Sequence, residues 1–147
     1  MTVVAIRNFA LVYGIVFLLV GIAGFVPGFV TPMGPADPPL EVTAGAGRLF
    51  GFFPVNYLHN IVHIAFGVWG LAVYRNASGA VMYARAVAVV YAVLTVLGLI
   101  PAANTLFGLV PLHSHDVWLH LLLAAIAAYF GFVVPRHEAP AGTPHRA

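Results

Sequence analysis

The chain has 147 residues, of which 62% are hydrophobic and 7% charged, and its formal net charge is +2. Soluble domains carry about a quarter charged residues, so this composition excludes a water-soluble globule, and the few basic residues exclude nucleic acid as a partner. The absence of cysteine also excludes disulfides and thiolate metal sites, and an integral membrane protein remains.

Four apolar stretches are each long enough to cross a bilayer, which takes roughly 20 mainly apolar residues. They cover approximately residues 8–26, 55–74, 80–100 and 116–134. Because proline cannot continue a helix but is tolerated where one starts, Pro27, Pro101 and Pro135 are predicted to end three spans, and Pro54 to begin the second. The sequence therefore predicts an all-α integral membrane four-helix bundle over residues 1–135, followed by a polar cytoplasmic tail over residues 136–147.

The arginines predict the orientation, because positive residues near span ends stay in the cytoplasm. Five of them lie on the side shared by both termini and the loop between the second and third spans: Arg7, Arg75, Arg85, Arg136 and Arg146. The opposite side has Arg48, together with Asp37 and Glu41. We therefore expect a multi-pass protein with both termini in the cytoplasm and one sizeable outer loop, residues 27–47.

An internal repeat relates the two halves of the chain. A shift of 57 residues aligns LFGFFPVN, which starts at Leu49, with LFGLVPLH, which starts at Leu106, and it places His63 on His120. The first and third spans align more loosely at a shift near 78. We therefore expect two helical hairpins of the same topology, related by a pseudo-two-fold axis along the membrane normal.

Polar side chains follow helical spacing within the second and fourth predicted spans. They are Asn56, His59, Asn60 and His63 in the second, Asp116 and His120 in the fourth, and His113 and His115 just before the fourth. Both stripes begin at the outer ends of their spans, so we expect them at similar depth in the outer half of the bundle. Ionisable groups inside a membrane are costly and mark a site hypothesis by default.

Three main interpretations of these polar residues stay open. In the structural one, His and Asn hydrogen-bond between helices, and Asp116 holds His59 or His63 while capping its own helix. In the second, His59, His63, Asp116 and His120 hold a metal ion, since imidazoles with a carboxylate suit zinc, copper or iron. In the third, His63 and His120 ligate a haem from both faces, with Gly67 leaving room for the macrocycle. Proton transfer and quinone binding are further alternatives, and the residues favour no one cofactor.

The stretches LFGFFPVNYLHNIVHIAFGVWGLA, HDVWLHLLLA and VYGIVFLLVGIAGFVPG resemble a family of small bacterial four-span proteins, catalogued as domain of unknown function 4383. The similarity covers approximately residues 9–132, and its most specific parts are the NxxHNxxH run over residues 56–63 and the pair Asp116 and His120. The resemblance implies a four-helix domain in the bacterial inner (cytoplasmic) membrane and no established activity.

The sequence carries no nucleophile elbow and no phosphate-binding glycine loop. We therefore expect a non-enzymatic accessory or structural subunit that packs beside larger membrane proteins, for example in an energy-transducing, respiratory or photosynthetic complex. The alternative is a metal- or tetrapyrrole-binding membrane protein that uses the His/Asp cluster. The partners expected are the lipid bilayer and either other membrane proteins or further copies of this chain.

Overall fold

Helices form along the apolar stretches in the computed structural model, which describes residues 2–134. Within that range the α-helices are α1 (Thr2–Ala23), α2 (Tyr57–Val73), α3 (Ala77–Leu99) and α4 (His115–Ala128), and α4 continues as a π-helical turn, Tyr129–Val133. The predicted tail over residues 136–147, with Arg136 and Arg146, lies outside the described residues.

Three helices in the described part of the chain are long and apolar enough to cross a membrane: Val3–Ala23, Ala77–Leu99 and His115–Val133. The fourth, α2, has 17 residues. At a rise of 1.5 Å per residue it is about 25 Å long, somewhat shorter than the hydrocarbon core of a typical bilayer. The three long helices indicate a membrane protein, and the fourth span and the orientation stay predictions.

The helices pack most extensively in two pairs, α1 with α2 and α3 with α4, and α3 also contacts α1 and α2. Glycines let the backbones of the first pair approach closely. A Cβ atom on Gly14 would lie 2.9 Å from the amide nitrogen of Leu71, and one on Gly67 would lie 2.7 Å from that of Leu18. Small residues at such positions are typical of helix contacts in membranes. The repeat and its pseudo-two-fold axis stay predictions.

Aromatic side chains fill the centre of the bundle. Phe17 of α1 stacks on Tyr91 of α3 with ring centroids 5.4 Å apart, and both side chains are 2% exposed. The hydroxyl of Tyr13 donates a hydrogen bond to the carbonyl oxygen of Leu123 at 3.2 Å. This bond joins α1 to α4.

A three-stranded antiparallel sheet covers one end of the bundle, so the all-α expectation was incomplete. Its strands are β1 (Val30–Thr31), β2 (Gly47–Leu49) and β3 (Phe53–Val55), with β2 in the centre. Pro54, which was expected to begin the second helix, lies in β3. The helix begins later, at Tyr57, because the side chain of Asn56 caps it by accepting a hydrogen bond from the backbone N–H of His59.

We call residues 27–56 and 101–114 the cap, because they cover this end of the helices. Within the first segment, an ion pair between Arg48 and Asp37 joins β2 to the loop that precedes it. The backbone N–H groups of Glu41 and Val42 donate to the carbonyl oxygen of Gly108 at 2.9 and 3.1 Å. The two segments of the cap are therefore one hydrogen-bonded unit.

Candidate metal centre

Two helix starts place the polar side chains of the site. In α2, the Asn56 cap fixes His59 in the first turn, with its N–H 2.8 Å from the side-chain oxygen of Asn56, and His63 follows one turn later. In α4, Asp116 lies in the first turn and His120 one turn later. Both helices begin beneath the cap, so these side chains lie at the same end of the bundle, as the sequence predicts.

Three of these side chains converge. His59, Asp116 and His120 each offer a ligand atom, and these atoms all lie within 4.8 Å of one another. We call these three residues the ligand group. The Nδ1 atom of His59 is 3.9 Å from Oδ2 of Asp116. The three residues are 2–4% exposed, so the group is closed to bulk solvent.

The ligand group presents unpaired polar atoms. Nδ1 of His59, Oδ2 of Asp116 and Nδ1 of His120 have no hydrogen-bond partner among residues 2–134. Buried polar atoms are almost always paired, and an unpaired one costs free energy. A cation coordinated by both imidazoles and the carboxylate would supply a partner for buried polar atoms of this group.

The donor set fits a first-row transition metal. Tetrahedral zinc has bonds of about 2.0–2.1 Å to nitrogen and oxygen, which places its ligand atoms roughly 3.3 Å apart. The separation of 3.9 Å between His59 and Asp116 is therefore within a small side-chain rotation of a ligand pair. Two imidazoles and one carboxylate leave a coordination position open, as in catalytic zinc sites and in the iron facial triad.

His63 lies beside the ligand group and outside it. Its ring stacks on that of His59 with centroids 4.6 Å apart, and on Phe17 at 5.8 Å. Of the four ligands that the sequence suggests, the structure brings atoms of three within 4.8 Å of one another, and His63 instead lines a neighbouring cavity of about 150 Å³.

The haem interpretation needs a space between His63 and His120. The ring of His59 lies near both, with centroids 4.6 and 6.2 Å away, and Tyr91 packs edge-on against His120 at 4.9 Å. Ligand pockets usually measure about 300–1,000 Å³. The cavity beside His63, at about 150 Å³, is smaller, so the geometry favours an ion over a macrocycle.

The two asparagines of the polar stripe have different surroundings. Asn56 is fully buried, and its side-chain amide donates to the carbonyl oxygens of Val42 and Leu109 at 3.0 and 2.7 Å. It therefore joins α2 to both segments of the cap. Asn60 is also fully buried and lies against Gly24, and its amide atoms have no hydrogen-bond partner in the described range.

His113 and His115 lie in and next to the cap, away from the ligand group. His113 is buried, with Nδ1 3.9 Å from Oδ1 of Asp37. Burial lowers the pKa of His113, and the Arg48 guanidinium holds the pKa of Asp37 below its usual value. His115 is exposed and its ring lies edge-on to Phe52. These two histidines therefore belong to the surroundings of the site.

Asp116 does not cap its own helix, contrary to one expectation. Ser114 occupies the N-cap position of α4, and no side chain makes a capping hydrogen bond there. The carboxylate instead points inward, 3.9 Å from His59. This distance exceeds that of a hydrogen bond, so the contact between them is not direct pairing.

Sequence analysis missed the contribution of the cap to the site. Leu49, Phe53 and Val55 of the sheet line the cavity beside His59 and His63. The signal in the sequence is the apolar LFGFFPVN segment, which ends at Asn56, the N-cap residue of α2.

The family model described as Domain of unknown function (DUF4383) matches residues 7–133, a range that contains the whole ligand group. No curated protein and no solved structure shows significant similarity to the chain.

Proposed function

The chain belongs to the family described as Domain of unknown function (DUF4383), and because that description assigns no activity, we propose a function from the site. We propose that the protein is a multi-pass membrane protein that binds a divalent first-row transition-metal ion through His59, Asp116 and His120. The single observation that carries this proposal is the ligand group: three buried donors from two helices, within 4.8 Å of one another.

The proposed membrane arrangement has four spans, both termini in the cytoplasm and the cap on the outer side of a bacterial cytoplasmic membrane. The distribution of arginines in the described residues supports it. Arg7 donates to the carbonyl oxygen of Tyr74, and Arg85 to that of Gly131, at the end opposite the cap. Arg48 lies in the cap, paired with Asp37. In this arrangement the ion lies in the outer half of the membrane.

Metal analysis of the purified protein tests the binding proposal. Protein in mild detergent is loaded separately with zinc, iron(II) and copper(II), desalted and measured by mass spectrometry of the metal. We expect the wild type to retain about one ion per chain, and the arms of the experiment identify which ion. Asp116→Asn preserves the shape of the side chain and removes the charge, so it should lose the ion, as should His120→Leu.

Two histidine variants provide matched controls. His115→Leu removes an exposed imidazole one residue before Asp116, and His63→Leu removes a buried one that the ligand group does not include. Both should keep the metal content of the wild type. Equal metal content in wild type and Asp116→Asn would overturn the proposal, as would loss of the ion from His115→Leu alone.

A second candidate function is the accessory role expected from the sequence, and two exposed phenylalanines favour it. Phe50 and Phe107 lie in the cap, 54% and 76% exposed, each in a left-handed backbone conformation followed by a glycine. Exposed aromatic side chains are typical of the centres of protein interfaces. We propose that a larger membrane protein covers Phe107.

Native purification in mild detergent, followed by mass spectrometry, tests the accessory role. The wild type should co-purify with a defined larger membrane protein, and Phe107→Ser should lose it. Val93→Ser, which changes an equally apolar exposed residue on α3, should retain the partner. A wild-type chain that purifies alone contradicts this role.

A further inference from the structure

A second candidate site lies beside the ligand group. The cavity of about 150 Å³ is lined by His59 and His63 of α2 and by Asp116 of α4, so it shares two residues with the ligand group. Its other lining side chains are apolar, Phe17 and Leu49 among them. His63 is not a member of the ligand group. The cavity therefore needs an explanation of its own.

The cavity opens sideways between α1 and α4. Below it, the hydroxyl of Tyr13 donates to the carbonyl oxygen of Leu123 and joins the two helices, and above it lies the hairpin of β2 and β3. Elsewhere α1 and α4 make few contacts. Val16, at the opening, is 43% exposed. In the proposed membrane arrangement this opening faces the acyl chains of the lipid.

The imidazole of His63 lines this cavity and makes no hydrogen bond to the described residues. The residue is 8% exposed, and within the described residues its Nδ1 has no hydrogen-bond partner. An unpaired buried nitrogen costs free energy, and a ligand that supplies the missing partner gains it back. An acyl chain fills apolar space but has no polar atom to offer to His63.

We infer that this cavity binds the ring of a monocyclic benzoquinone from the membrane, with a carbonyl oxygen accepting a hydrogen bond from a ring N–H of His63 once the imidazole rotates toward the cavity. An apolar protein cavity of about 150 Å³ holds a benzene-sized ring, so the quinone ring fits inside and its substituents extend toward the opening. The alkyl or isoprenoid tail of such a quinone leaves through the opening into the lipid. The inference goes beyond metal binding and does not depend on a bound ion.

Calorimetric titration of the metal-free protein in lipid nanodiscs tests the inference. The probes are duroquinone and durene, which share a tetramethylated ring and differ in the two carbonyl groups. We expect duroquinone to bind the wild type about ten-fold more tightly than durene, because durene leaves His63 unpaired.

Two pairs of variants locate the site. His63→Phe keeps a ring of similar size and removes the N–H donor, so it should weaken duroquinone about ten-fold and leave durene unchanged. Val16→Phe fills the opening and should weaken both probes about ten-fold or more. Ile15→Phe, the neighbouring exposed position on α1, does not line the cavity and should leave both affinities within about two-fold of the wild type.

Two results would overturn the inference: equal binding of durene and duroquinone by the wild type, or no loss of duroquinone affinity in His63→Phe. These outcomes are distinguishable from failure of the metal proposal. His63→Phe should keep its metal ion while it loses the quinone, and His120→Leu, which changes a ligand that does not line the cavity, should lose the ion while it still binds duroquinone.

Discussion

Asn56 is the residue with the most connections at the site. It caps α2 and also holds the carbonyl oxygens of Val42 and Leu109. Asn76 caps α3 in the same way, but at an exposed position, by accepting from the N–H groups of Ser78 and Gly79. Comparing the two asparagines therefore distinguishes the stability that comes from capping a helix N-terminus from the stability that comes from hydrogen bonds to residues 27–56 and 101–114.

Replacing Asn56 by Ala should cost about 2–3 kcal/mol of unfolding free energy, because it removes a helix cap and leaves two carbonyl groups without their donor. Asn76→Ala, as the control, should cost about 1 kcal/mol, the usual value for a cap alone. Chemical or thermal unfolding in detergent measures both. Equal losses in the two variants would show that the bonds to the cap contribute little.

His113 should make stability depend on pH. Burial lowers its pKa in the folded protein, where the Asp37 carboxylate opposes the shift and the Arg48 guanidinium adds to it. In the unfolded chain a histidine titrates near its usual value of about 6.5. As the pH falls below that value, the unfolded chain binds a proton that the folded chain does not, so unfolding free energy decreases.

His113→Asn should flatten this dependence. The loss of stability between neutral and mildly acidic pH should be smaller in the variant than in the wild type, in unfolding measurements at a series of pH values. The other buried histidines contribute to both proteins, so the difference between the two curves isolates His113. Parallel curves would contradict the assignment.

At the scale of the elements, the contact between α1 and α2 depends on glycine. A Cβ atom on Gly67 would lie 2.7 Å from the amide nitrogen of Leu18 and 3.0 Å from the carbonyl oxygen of Gly14. Backbone atoms cannot move aside individually, so the helices themselves would have to separate. The same separation would move His63, which lies one turn before Gly67.

Gly67→Ala should therefore destabilise the protein by about 1–2 kcal/mol, since overpacking outweighs the gain in helix propensity. Gly28→Ala is the control: its Cβ atom would meet no other atom within 4 Å, and we expect a change smaller than about 1 kcal/mol. Thermal unfolding of both variants in detergent checks the comparison. An unchanged melting temperature in Gly67→Ala would show that the helix pair can separate freely.

The helices could be predicted from the sequence and the sheet could not. Long apolar runs bounded by proline are a strong signal, and the four predicted spans fall on α1 to α4 with ends shifted by up to six residues. The strands have two or three residues each, too few to show an alternating pattern. Pro54 lies inside one of these strands, although a proline at the start of an apolar run predicts the start of a helix. That expectation did not take into account that Asn56 is the N-cap residue of α2.

The candidate site was predictable in composition but not in geometry. Helical spacing identified His59, His63, Asp116 and His120 as one polar group, and all four are buried. Which of them converge depends on how far α2 and α4 are rotated about their axes, and one sequence does not record that rotation. The structure gathers three of them and places His63 on the adjoining cavity.

For the whole molecule, the absence of cysteine makes the proposed orientation directly testable. A cysteine can be introduced on each side by Ser78→Cys, at the end of the bundle that contains Arg75 and Arg85, and by Ala36→Cys, in the cap next to Asp37. A membrane-impermeant maleimide applied to intact cells should label Ala36→Cys and should label Ser78→Cys only after the membrane is opened. The reverse pattern would place the cap in the cytoplasm and contradict the orientation, while the wild type serves as the unlabelled control.

The hydrogen bonds of Asn56 also fix an order of assembly during synthesis. Its partner Leu109 follows it by 53 residues, beyond the whole of α3, and two of the three proposed ligands, Asp116 and His120, come later still. A nascent chain that has inserted only α1 and α2 therefore lacks the acceptor of Asn56 at Leu109 and the neighbours of His59. Both the link between the two segments of the cap and the convergence of the three proposed ligands require the second helix pair.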